Sequence, residues 1–211
     1  MEELIRGAEA DIILGRWLGV PAIFKVRKRR PYIHEELDRR TRSARTIHEA
    51  ELLVEAKKLG VPAPLVYHVD TKAFTIVMQY LPGPRLKELL GATDHRLDLC
   101  HVMGSYMARL HLGGVVHGDP TTSNFIYSND RLAVIDFGLA HRSALVEDAA
   151  VDLHLVREAM SSAHAGVGKS ALEAFKLGYS TEAGSKNAEK IWSRVADIER
   201  RGRYARSKWG E

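Results

Sequence analysis

Cysteine is nearly absent. Cys100 stands alone among 211 residues, so no disulfide can close within the chain, which fits a reducing compartment. It falls on an apolar helical stripe, where it is expected to be inert core. No apolar run is long enough to cross a bilayer and no signal region opens the chain, so a cytoplasmic protein without membrane contact is expected. Internal repeats and low-complexity tracts are missing too. Charge of one sign is scarcely in excess, at net +4, but that excess is clustered. Lys25, Arg27, Lys28, Arg29, Arg30, Arg39, Arg40, Arg42 and Arg45 crowd one region, and Arg200, Arg201, Arg203, Arg206 and Lys208 crowd the tail. Such clusters either meet phosphates, nucleic acid or an acidic partner, or form solvated helical faces; composition does not choose. The rest is ordinary for a soluble globular protein, with 45% hydrophobic and 27% charged residues in a length that suits one large domain or two lobes sharing a core.

The stretch that carries chemistry is His117-Gly-Asp119-Pro-Thr-Thr-Ser-Asn124, followed after eleven residues by Asp136-Phe-Gly138. Apolar runs at Val115–Val116 and Leu132–Ile135 lead into its two halves. An H-x-D-x-x-x-x-N loop with strand-then-D-F-G at this distance resembles the catalytic core of the protein-kinase-like superfamily. Phosphoryl transfer needs one carboxylate beside the attacking oxygen, here Asp119. It also needs hard oxygen ligands that hold Mg²⁺ against ATP phosphates, here Asn124 and Asp136. Each has a bland counterpart as a turn or strand-end residue, but the three together at this spacing do not. His117 is expected to brace the loop rather than move protons.

Taken in order, residues 3–6, 10–15 and 22–27 read as strands. Gly7-Ala8-Glu9-Ala10 sits where a kinase carries its glycine-rich phosphate loop, although one glycine alone also suits a plain hairpin turn. Lys25, inside an apolar strand, is either an edge charge or, as in kinases, the lysine on the α and β phosphates. Residues 34–59 form a long helix that stops at Gly60-Val-Pro62. On it Glu49 is the expected partner of Lys25, ahead of Glu51 and Glu55. The competing reading makes Thr46-Ile-His-Glu49 a capping box at a helix start. Strands at 66–69 and 74–79 turn at Asp70-Thr-Lys72. The second runs out through Met78, Gln79, Tyr80 and Leu81, which resembles a hinge whose backbone at Gln79 and Leu81 meets adenine. Helices follow near 85–90 and 95–112, from about Ala149, and near 169–178 and 186–201. Asp152 is either a brace for the catalytic loop, as in kinases, or an ordinary first-turn acid. Gly166-Val-Gly168-Lys169-Ser170 imitates the end of a P-loop, but Ala163 stands where the first glycine belongs and no strand precedes it.

Departures from ordinary protein kinases are informative. Gly118 replaces the loop arginine that grips an activation-loop phosphate, Thr121 replaces the usual lysine, and no A-P-E sequence or normal activation segment fits after Gly138. Phosphoryl chemistry is retained while peptide docking is curtailed. Gly7 to Ala10, Ile-Phe-Lys25, Arg45-Thr-x-x-Glu49-Ala50, Gly60-Val-Pro-Ala-Pro64, His-Gly-Asp119, Ile-Asp136-Phe-Gly-Leu and Arg201-Gly-Arg203 together resemble the small kinase subunit of the archaeal and eukaryotic KEOPS complex. Pro120 departs from that pattern. RIO kinases share His-Gly-Asp but lack D-F-G.

The resemblance implies an α+β, bilobal protein-kinase-like fold. Residues 1–80 would form a small β-rich N-lobe with one main helix, and residues 81–211 a reduced, mainly helical C-lobe. It implies an atypical Ser/Thr kinase and ATPase using ATP and Mg²⁺. The partners implied are a threonylcarbamoyl-transferase subunit, a small adaptor subunit and tRNA, modified to N6-threonylcarbamoyladenosine beside the anticodon. The tail Arg201-Gly-Arg203 would reach the nucleotide or the partner interface, the alternative being a floppy basic terminus. Two alternatives remain: a small-molecule phosphotransferase of the aminoglycoside or choline kinase type, and a non-catalytic ATP-binding scaffold.

Overall fold

The computed structural model describes residues 3–7, 9–91, 96–164 and 166–209, with residues 3, 5 and 202–209 described by backbone alone. Strands β1 (Glu3–Arg6), β2 (Ala10–Trp17), β3 (Val20–Arg27), β4 (Val66–Asp70) and β5 (Thr75–Gln79) form one antiparallel sheet in the order β1-β2-β3-β5-β4. The β2–β3 ladder pairs Ile12 with Lys25 and Leu14 with Ile23. Both strands run further toward their hairpin than the sequence predicts. The cause is aromatic: Trp17 packs edge-on to Phe24 and stacks on His68 at 5.1 Å, so the pairing has cross-strand support to its end. Helix α1 (Glu35–Lys58) lies between β3 and β4 in the chain and packs against β4 and β5.

The rest is mainly helical: α2 (Leu86–Leu90), α3 (Leu97–Leu112), α4 (Val146–Ala163), α5 (Gly168–Ala183) and α6 (Ser185–Trp209). Four short strands carry the central motif, namely β6 (Val115–Val116), β7 (Phe125–Ser128), β8 (Arg131–Val134) and β9 (His141–Arg142); β7 pairs with β8, and β6 with β9. Helix α4 begins at Val146, three residues before the predicted start. Ser143 explains this, because its hydroxyl donates to Asp148 and accepts from the Leu145 amide, fixing the entry turn. Only seven residues therefore separate Gly138 from α4. Gly168 opens α5 directly after a helix, as expected of a false P-loop. Helices α3 and α5 cross at backbone contact: a Cβ on Gly178 would lie 1.9 Å from the His101 carbonyl oxygen.

One core joins the sheet to the helices. Leu52 and Leu53 of α1, Ile76 of β5, Met103 and Met107 of α3, Phe125, Phe137, Phe175 and Tyr179 are all fully buried within it. Cys100 belongs to the same core, and burial pushes its thiol up to about 12, so it is inert. No helix among the described residues is long and apolar enough to cross a membrane.

Candidate functional site

Strand alternation sets the first wall of the cleft. Lys25 and Arg27, two residues apart on β3, share a face and meet α1. Lys25 Nζ donates to Glu49 Oε1 at 2.6 Å and to Asp136 Oδ1 at 2.7 Å. Glu49 is the fifteenth residue of α1, fully buried, so it is a mid-helix ion-pair partner and not part of a capping box. Thr46 confirms this by bonding the Arg42 carbonyl within the helix. Glu51 is exposed and Glu55 faces Lys58 and Arg142. Burial alone would lower the Lys25 pKa, but the charges of Glu49 and Asp136 hold it above its ordinary value. Burial alone would likewise raise the Asp136 carboxyl, and Lys25 with the Gly138 amide carries it below.

The basic cluster around α1 is not the open surface its sequence suggests. Arg27 is 5% exposed and its Nη2 bonds Glu49 Oε2. Arg42 pairs with Asp38, Lys28 with Asp11, and Arg30 and Arg45 both with Glu9. Arg45 also donates to the Gly138 carbonyl. Arg29, Arg39 and Arg40 are left as exposed members. At the other end, Arg201 is tied to Glu147 of α4, while the side chain of Arg203 lies outside the described residues.

The second wall is the catalytic-type loop. Asp152, fully buried and seventh in α4, accepts from the backbone amides of His117 at 2.7 Å and Gly118 at 2.8 Å, and pairs with His111 Nε2 at 3.1 Å. It is a loop brace and not a first-turn acid. His111 is oriented in turn by the Tyr179 hydroxyl at 2.9 Å. His117 lies between the Phe125 and Phe137 rings and accepts from the Asp119 amide. Burial pushes its pKa down, so it is neutral and structural. Gly118 has φ +80, and a Cβ there would sit 2.5 Å from the Leu139 carbonyl oxygen. An arginine cannot occupy that position in this loop. Asn124 Nδ2 donates at 2.9 Å to both the carbonyl and the carboxylate of Asp119, which joins the two ends of the loop. Asp136 takes φ +65, and its Oδ1 accepts from the Gly138 amide at 3.0 Å.

Between the walls lie two adjoining cavities that share Ile12, Lys25 and Asp136. One, about 300 Å³, is bordered by Ile23, Met78, Gln79, Leu81, Asn124, Ile126 and Ile135. The other, about 280 Å³, is bordered by Gly7, Glu9, Ala10, Arg27, Asp119 and Gly138. The sequence-predicted residues thus converge on a single cleft, save Ala8, which lies outside the described residues, and Glu49, which stands behind Lys25. The turn after β1 closes on itself, since the Gly7 amide donates to the Ala10 carbonyl at 3.1 Å. Its Glu9 carboxylate faces arginines.

Comparison with known proteins follows the same lines. The ABC1 atypical kinase-like domain matches residues 19–158. The KEOPS complex subunit Bud32 of Pyrococcus abyssi is 39% identical, with 99% of each chain aligned. The chain belongs to the Bud32 family. A probable bifunctional tRNA threonylcarbamoyladenosine biosynthesis protein of Methanococcus maripaludis is also 39% identical over 96% of this chain, which spans 36% of that longer protein. Among solved structures, the Rio2 kinase of Chaetomium thermophilum, in an ADP/Mg²⁺-phosphoaspartate complex, superposes with a TM-score of 0.62 at 15% identity, covering 94% of this chain and 70% of that one. The fold of this Bud32-family chain is therefore kinase-like. Its sequence hid Arg27, Arg45, His111 and Tyr179 from a search for site residues. For Arg27 a signal was present: two residues from Lys25 on a strand means the same face.

Proposed function

We propose that this Bud32-family chain is the Mg-ATP-dependent kinase and ATPase subunit of a KEOPS complex, supporting N6-threonylcarbamoyladenosine formation in tRNA. The observation that carries it is the chain of ion pairs from buried Glu49 through buried Lys25 to Asp136 at the open cleft, beside Asp119 and Asn124, in a chain that matches a KEOPS subunit end to end. The division into an N-lobe of residues 1–80 and a C-lobe of 81–211, with Gln79–Leu81 as the hinge, belongs to the same reading.

The residues fit a nucleotide and a hard divalent cation. The cavity at Met78, Ile126 and Ile135 is apolar enough for a purine, and the adjoining one is charged. Asp136 and Asn124 offer a carboxylate and an amide oxygen, the donor type Mg²⁺ takes beside phosphate and water. When bound, Mg²⁺ would neutralise charge on the phosphates. Hinge backbone at Gln79 and Leu81 would hold the adenine edge, and Lys25, positioned by Glu49, would hold the non-transferred phosphates. Asp119, steadied by Asn124, would orient the attacking hydroxyl or water and take its proton. Asp152 keeps that loop in place through two backbone amides. The acceptor is a protein Ser/Thr hydroxyl or water, and the tRNA and transferase partners act through the complex.

The test follows label from [γ-³²P]ATP with Mg²⁺, with and without the transferase subunit and tRNA. Free phosphate that rises with partner and tRNA supports an ATP-driven KEOPS subunit. Label on a small molecule, or turnover equal in wild type and Asp136→Ala, would overturn it.

A further inference from the structure

Glu49 attracts more positive charge than one carboxylate needs. Its Oε1 takes Lys25 and its Oε2 takes Arg27. Both cations are buried, at 6% and 5% exposure, and both border the cavity that Asp119, Asp136 and Gly138 also line. They converge on one spot: a Cβ on Gly138 would lie 3.6 Å from Lys25 Nζ and 3.7 Å from Arg27 Nη2. Arg27 is also incompletely bonded. Among the described residues, its Nη2 makes beyond Glu49 only a 3.3 Å contact to the Arg45 carbonyl, and its buried Nε has no hydrogen-bond partner. A desolvated guanidinium normally has its donors met, because an unmet one is costly.

The charges of this wall balance only while Asp136 is included. In direct ion pairs, Lys25 and Arg27 face Glu49 and Asp136, two against two, while Glu9 on the same cavity is engaged by Arg30 and Arg45. Once Asp136 turns to a divalent cation, Lys25 loses a partner and two cations remain on one carboxylate. A lone Lys–Glu pair would leave no surplus. Here a buried positive charge is left at the cavity, and a polyphosphate is the ligand class that matches a cationic fork beside an ammonium.

Resting on the Mg-ATP reading above, we infer that Arg27 is a second phosphate-binding cation, which makes the cleft favour a triphosphate over less charged adenine nucleosides and nucleotides. Adenosine, seated against the apolar cavity, does not depend on it.

Calorimetric titration of the full chain with ATP, ADP and adenosine, at constant Mg²⁺, tests this. Arg27→Gln is expected to weaken ATP binding roughly tenfold or more, ADP binding less, and adenosine binding not at all, with Arg27→Lys restoring part of the loss. If wild type binds ATP while Arg27→Gln weakens all three ligands equally, or none, the Arg27 assignment is overturned and the Mg-ATP reading stands. If wild type binds none of the three, both fall. A measurement on wild type guards against a variant that does not fold. The ¹⁵N resonance of Arg27 Nε should shift on adding ATP and stay in place with adenosine, and an unmoved resonance with ATP would contradict the assignment.

Discussion

Two buried acids hold the two walls of the cleft, and they do so differently. Glu49 faces charges, Lys25 and Arg27, that have other partners within reach: Asp136 for one and the Arg45 carbonyl for the other. Asp152 faces three groups fixed by backbone or by packing, the amides of His117 and Gly118 and the His111 ring. The first arrangement can exchange partners when ligand arrives. The second has nothing to exchange with, so it acts as a frame. Charge pairs serve the part that must respond, and acceptor bonds to backbone serve the part that must not.

Breaking the frame should have the largest effect. Asp152→Ala strands the buried His117 amide, the half-buried Gly118 amide and a histidine, and is expected to cost about 3 kcal/mol of stability together with nearly all ATP turnover, measured by urea unfolding and phosphate release. If turnover survives in a folded variant, the loop does not need its brace. Breaking the responsive wall should separate the two readouts. Lys25→Met leaves Glu49 bonded to Arg27, so turnover should fall about a hundredfold while the melting temperature drops by about 4 °C or less. A collapse of stability comparable to that of Asp152→Ala would erase the distinction.

The smallest expected effect is a pH dependence on the frame side. His117 has its pKa held by burial below the ordinary 6.5, so below that pH the unfolded chain binds more protons than the folded one. Stability should be complete above 6.5 and decline as pH falls through it toward the folded value. His117→Asn should flatten part of that slope in urea titrations at several pH values. An unchanged slope would mean that His117 is not the buried neutral group described here.

The cleft was legible where chemistry demands particular residue types at fixed spacing. Asp119, Asn124, Asp136 and Lys25 were identifiable because each sits beside an apolar run that places it, and the structure brings them together. Glu49 and Asp152 each had two readings, because an acid on a helix looks the same in sequence whether it caps a turn or reaches across a lobe. Only position within the finished helix, fifteenth in α1 and seventh in α4, separates them. Arg27, Arg30 and Arg45 looked like a solvent-facing patch, since nothing local reveals that Glu9 and Glu49 come from other elements to meet them; only Arg42 has a partner within its own helix, Asp38 four residues before it. The strand ends were misjudged where the cause is tertiary, as with Trp17 on His68, whereas the start of α4 was misjudged because a local signal, Ser143 bonding Asp148 and the Leu145 amide, was passed over.

The most direct test of the cleft as a phosphoryl-transfer site is to measure ATP affinity and ATP turnover side by side for wild type and Asp119→Asn. Asp119 borders the cavity and, among the described residues, its carboxylate accepts only from Asn124, so the amide should preserve fold and binding. The expected result is unchanged ATP affinity with turnover reduced by about a hundredfold or more. Unchanged turnover with intact binding would contradict a role for Asp119 in the transfer, and with it the reading of this cleft as catalytic.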